Sequence, residues 1–128
     1  MSYYISKLIQ ASFEETVEKV IEELKKEGFG IITEINVSET LKKKLDVDFK
    51  KYQILGACNP GFAYKALQLE EKLGAMLPCN VIVIEKDKTH TEVAAINPMV
   101  SMQSVNNPAL SAVASQITEA LQRVIDQV

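Results

Sequence analysis

Residues 79–96 hold two strand-like stretches with too little chain between them for a helix. Cys79 to Glu85 contains the continuous apolar run Val81-Ile82-Val83-Ile84, and Thr89 to Ile96 follows after only Lys86-Asp87-Lys88. A parallel pair needs a crossover of a dozen residues or more, so this pair is expected to be an antiparallel hairpin. The unbroken run predicts a central strand or one buried on both faces. A chain that is otherwise an alternation of strands and helices is thereby steered away from a doubly wound parallel sheet. The expectation is an α+β fold, with a mixed or antiparallel five-stranded sheet and helices packed on it.

The remaining elements fall into place around that pair. Residues 3–9 alternate and read as a strand. Ser12, with Glu15 three residues on, is a capping box for a helix whose apolar stripe is Phe13, Val17, Val20, Ile21 and Leu24. Gly28 is placed to end it in the left-handed conformation. Residues 29–36 and 51–58 read as strands, with a short Lys-rich helix from Ser38 to about Leu45 between them. Asn59-Pro60 pairs a good N-cap with a good first helical residue, which predicts a helix from Pro60 to about Leu73, stopped by Gly74. Asn97-Pro98 ends the fifth strand, and Asn107-Pro108 starts a last helix whose apolar face runs from Leu110 to Val128. The predicted order is β-α-β-α-β-α-β-β-α.

Composition narrows the class. The 128 residues fit one domain, 1–128, with one core. Net charge is −3 and the pI about 5.2, which argues against nucleic-acid or anionic-membrane partners. The cluster Lys42-Lys43-Lys44 is interleaved with Glu39, Asp46 and Asp48, as on a solvated helix face. No apolar run approaches the roughly 20 residues that span a bilayer. The first residues lack a basic segment followed by an apolar block, so a cytoplasmic protein with reduced thiols is expected.

The segments Gly30-Ile31-Ile32-Thr33-Glu34-Ile35, Tyr52-Gln53-Ile54-Leu55-Gly56-Ala57-Cys58-Asn59-Pro60, Leu77-Pro78-Cys79-Asn80-Val81 and Asn97-Pro98, in this order, carry a resemblance. The chain resembles the bacterial and archaeal domain of unknown function family 302 over nearly its whole length. The resemblance implies an architecture similar to that of the TATA-binding protein, without a DNA-binding role, and no established activity. The family often has an Asp-Gly type turn in the hairpin. Asp87-Lys88 stands here instead, which predicts a longer or different turn.

Two Cys-Asn dipeptides carry what chemistry is visible. Cys58 ends one strand just before a helix N-terminus, where exposed N–H groups favour a thiolate. Cys79 opens the most apolar strand. Cys58, Asn59, Cys79 and Asn80 are the candidate ligand-binding residues. Packing competes with that role, since buried free cysteine is common, and the asparagines also suit caps and turns. His90 is the single histidine, and Cys58, Cys79 and His90 together would make a soft metal site for zinc or copper(I). The set lacks C-x-x-C or H-x-x-H spacing, and a histidine beside a tight turn is more often simply exposed. Met76, Met99 and Met102 would supply thioethers to copper(I), or fill gaps in the core.

Strand direction decides whether the thiols meet. A helix over 60–73, read as a crossover, makes strands 51–58 and 79–85 parallel if they are neighbours and sends the two cysteines to opposite sheet edges. Antiparallel pairing, or a dimer, would bring them together. No phosphate loop, Gly-x-Ser-x-Gly or paired-carboxylate motif is present. Three readings follow. The leading one is a small binding domain, homodimeric, holding a small ligand or soft metal ion near Cys58 and Asn59. The second is a thiol-dependent enzyme or redox protein using Cys58, weakened by the lack of a general base. The third is a structural or interaction module with inert cysteines.

Overall fold

The computed structural model describes residues 1–128. Five strands, β1 (Tyr4–Ile9), β2 (Gly30–Asn36), β3 (Tyr52–Cys58), β4 (Cys79–Glu85) and β5 (Thr91–Ile96), form one sheet in the order β1-β5-β4-β3-β2. Every neighbouring pair is antiparallel. The helices are α1 (Phe13–Lys26), α2 (Val37–Leu45), α3 (Pro60–Leu69), α4 (Pro98–Ser101) and α5 (Ser111–Gln127).

The two-residue period of a strand sorts the sheet into two faces. Leu55 and Ala57 of β3, Cys79, Val81 and Val83 of β4, and Val93 and Ala95 of β5 lie in the buried core with Val20 and Leu24 of α1 and Ile117, Leu121, Val124 and Ile125 of α5. The apolar stripes of α1 and α5 thus cover one face. Alternate residues of the same strands, among them Ile54, Ile82 and Ile84, turn to the other.

The segment between β3 and β4 is where sequence and structure part. The uninterrupted helix expected over residues 60–73 stops at Leu69. Glu70 is extended, and residues Glu71–Met76 form a 3-10 helix instead. Outward travel of about 15 Å in α3 is answered by about 12 Å of 3-10 return, so the chain arrives back at the edge it left. This corrects the crossover expectation: β3 and β4 are neighbours and antiparallel, with Ala57 opposite Cys79. The break has no local signal at residue 70. It has a distant one, because Asn107 Nδ2 donates to the Leu69 carbonyl at 2.9 Å and satisfies the interrupted helix end.

The hairpin turn is longer than a two-residue turn, and Asp87 builds it. Its carboxylate accepts from the Thr89 and His90 backbone N–H groups, both at 2.8 Å, in an Asx-type turn. Those bonds, the Thr89 N–H first and the His90 ring next, hold the Asp87 carboxyl down at about 2. The last helix begins at Ser111, preceded by a single 3-10 turn at Pro108–Leu110 that Asn107 caps. Helix α4 was not foreseen. Asn97-Pro98 predicts only the end of a strand, yet Asn97 caps a helix as Asn59 does.

Candidate functional site

Antiparallel pairing sets the site. Cys58 is the last residue of β3 and Cys79 the first of β4, so both thiols sit at one edge of the sheet. Both are free, Cys79 buried and Cys58 half-buried. They line one narrow cavity of about 20 Å³ whose other walls include Phe29, Phe62, Pro78, Met102 and Ile117. Such a volume holds one water-sized group and no more. Cys79 and Met102 also line an adjoining cavity of about 220 Å³ that reaches Met76 and Ser101. On its far side Met102 borders a third, of about 300 Å³, between α4 and the start of α5. Met99 lines that third cavity. Apart from Met1, every sulfur in the chain therefore lies around this one edge.

The two thiols differ in environment. Burial, reinforced by the neighbouring Cys58 sulfur, pushes the Cys79 thiol up to about 11. At pH 8 only about one part in a thousand of Cys79 is thiolate, the form that reacts. Alkylation at Cys79 is therefore expected to stay slow at pH 8 and to rise steeply as the pH approaches 11, while the half-buried Cys58 labels first. Mass spectrometry of each cysteine peptide across a pH series checks this. Equal rates at pH 8 would contradict it.

The other predicted site residues fare differently. His90 is not brought to the cysteines. It precedes β5 beside Glu85, whose partner is Thr91, six residues along β4 from Cys79 and roughly 20 Å away. There its Nδ1 lies 3.0 Å from Asp87 Oδ1 and 2.9 Å from Thr89 Oγ1. The Cys58/Cys79/His90 triad is corrected accordingly, and no group of three His, Cys, Asp or Glu side chains is placed to hold a metal ion. Asn59 is committed to structure. Its Oδ1 accepts from the Phe62 N–H at 3.3 Å, and its Nδ2 donates to the Glu27 carbonyl at 3.2 Å. That ties the start of α3 to the end of α1, where Gly28 adopts a φ of 84° directly against the Asn59 amide. Asn80 is exposed, on the sheet face opposite the core, and its residue borders the 220 Å³ cavity.

Sequence reasoning missed the common role of Met102, which borders all three cavities. The signal was present in Asn97-Pro98. A helix started there turns the chain back over the edge and delivers Met102 one turn later.

Fold and site together define an antiparallel α+β domain with a sulfur-lined sheet edge. The chain belongs to the family described as Domain of unknown function DUF302, which it matches over residues 5–128. It is similar to the crystal structure of an uncharacterized conserved DUF302 protein from Bacillus stearothermophilus, with 30% identity and a TM-score of 0.92 over 99% of this chain and 98% of that one. No curated protein matches the chain. No helix is long and apolar enough to cross a membrane.

Proposed function

We propose that the protein is a small binding domain that holds a single soft metal ion, copper(I), between Cys58 and Cys79. The observation that carries this reading is the shared cavity. Cys58, Cys79 and Met102 line a space with room for one ion-sized occupant. Sulfur-only sites of two or three ligands suit copper(I), whereas zinc favours four ligands of nitrogen and sulfur, and no histidine, aspartate or glutamate lines this cavity. The same volume argues against a small organic molecule between the thiols. A thiol enzyme using Cys58 is less well supported, because the single histidine lies at the far end of the strands and supplies no general base there.

Binding exchanges an S–H proton for an S–Cu bond at each cysteine, so protons are released as copper(I) is taken up. Titration against a competing copper(I) chelator is expected to give one ion per chain for the native protein. Cys58→Ala and Cys79→Ala should each weaken binding by at least about tenfold, or about 1.4 kcal/mol. Zinc should bind far more weakly than copper(I). Equal affinity in all three proteins would remove the cysteines from any metal role.

A further inference from the structure

We infer that the uncovered face of the sheet is the interface of a two-fold dimer of this chain. Antiparallel sheets with one face in water ordinarily alternate apolar-in with polar-out. Here the outward row Ile35–Ile54–Ile82–Ala94–Ser6 crosses all five strands without a charge. The next row, Tyr52–Ile84–Glu92–Leu8, holds one carboxylate, and Lys86 lies 3.7 Å from it. Leu8 is 60% exposed and Ile35 47% exposed.

A second observation points the same way. Helix α2 has nine residues and buries none of them, and its Leu45 is 66% exposed. Helices that short are marginal in water unless an apolar face is packed. The helix follows directly from β2 and packs against β2 and β3, beside the strands that carry the exposed rows.

Charge selects the occupant. A partner recognised by ion pairs would need charged groups to meet, and this face offers only Glu92, already beside Lys86. The apolar rows of the sheet are complementary to themselves, and apposing two copies there sets no charge against them beyond the Glu92–Lys86 pair of each, despite the net charge of −3, while the lysines of α2 stay at the rim in water. Two twisted sheets pack aligned at about 10 Å with their side chains interleaved. The face measures roughly 19 Å by 20 Å from strand spacing and rise. With α2 added, two copies bury an area at the low end of specific interfaces, about 1,200 Å² in all, which predicts a dimer of micromolar strength.

Sedimentation equilibrium of the full chain, from micromolar to near-millimolar concentration, tests this. The native protein is expected to pass from 14.2 kDa to twice that mass. Ile35→Lys and Leu8→Lys should each raise the dissociation constant at least about tenfold, with melting temperatures at low concentration unchanged because both sites are already exposed. Leu69→Lys, exposed on α3 on the helical side of the sheet, should leave association as it is. A 14.2 kDa species at every concentration overturns the inference. So does a dimer that Leu69→Lys weakens or that Ile35→Lys leaves intact.

Discussion

Gly56→Ala is expected to destabilise the protein by about 3 kcal/mol and to lower its melting temperature by about 10 °C. Gly56 lies in the middle of the sheet, opposite Thr33 on β2 and Asn80 on β4. A methyl group there would collide with the Thr33 hydroxyl and stand 2.8 Å from Pro78 Cγ. The hydroxyl can rotate away, although Thr33 Cβ at 3.3 Å limits the gain. The proline ring cannot rotate, so strands or the 77–79 segment must shift. Adding Thr33→Ala is therefore expected to restore only part of the loss. Thermal melts of the native protein, the single variant and the double variant check this. Full rescue would show that Thr33 alone made the conflict, and an unchanged Gly56→Ala melt would show that β3 has room. Pro78 adjoins Cys79, so the variant should also disturb the sulfur-lined edge. Slower labelling at Cys58 than in the native protein is not expected, since only opening of that edge follows from the shift.

Local chemistry was legible where a residue acts on its own neighbours. Ser12 caps α1 by accepting from the Glu15 N–H, as the spacing predicts. Asn59-Pro60 starts a helix and Val81–Ile84 is central in the sheet. The fold class followed from the hairpin, because a short connection leaves the chain no choice of direction. Illegible features were those decided at a distance. Nothing near Glu70 announces that α3 stops. The partner that satisfies its end is Asn107, 38 residues on. Strand direction between β3 and β4 depended on that same break, and with it the question of whether the thiols meet.

The candidate site followed this pattern. Both cysteines were singled out from their positions at strand ends, and their juxtaposition turned on a helix boundary that the sequence does not encode locally. Ligand chemistry alone groups His90 with them, and the register of β4 with β5 separates it. The asparagines explain why the Asn-Pro pairs are asparagine and not serine or aspartate. In Asn59, Asn97 and Asn107 the carbonyl oxygen caps the following turn while the amide donates to a carbonyl elsewhere in the chain. Serine could cap but has no such reach, and aspartate has no donor to give.

Asn97 takes that double role furthest, and Asn97→Ala is expected to cost about 2–3 kcal/mol, or about 8–10 °C in melting temperature. The residue is 7% exposed. Its Oδ1 accepts from the Met99 N–H at 3.1 Å and from the Thr118 hydroxyl at 3.3 Å, and its Nδ2 donates to the Ser2 carbonyl at 3.2 Å. One side chain thereby joins the chain before β1, the cap of α4 and the middle of α5. Alanine removes the cap and leaves part-buried groups on three elements without partners, which costs more than the bonds themselves contribute. Asn97→Asp separates the two functions. It keeps the cap, loses the donor and sets a carboxylate against the Ser2 carbonyl, so its loss of stability should be greater at pH 7 than at pH 4, where protonation restores a donor. Asn80→Ala, at an exposed position, serves as the control and should stay within about 0.5 kcal/mol of the native protein. If Asn97→Ala melted like that control, the link between β1, α4 and α5 would have to rest on the apolar contacts of Ile5 and Ile96 with the core instead.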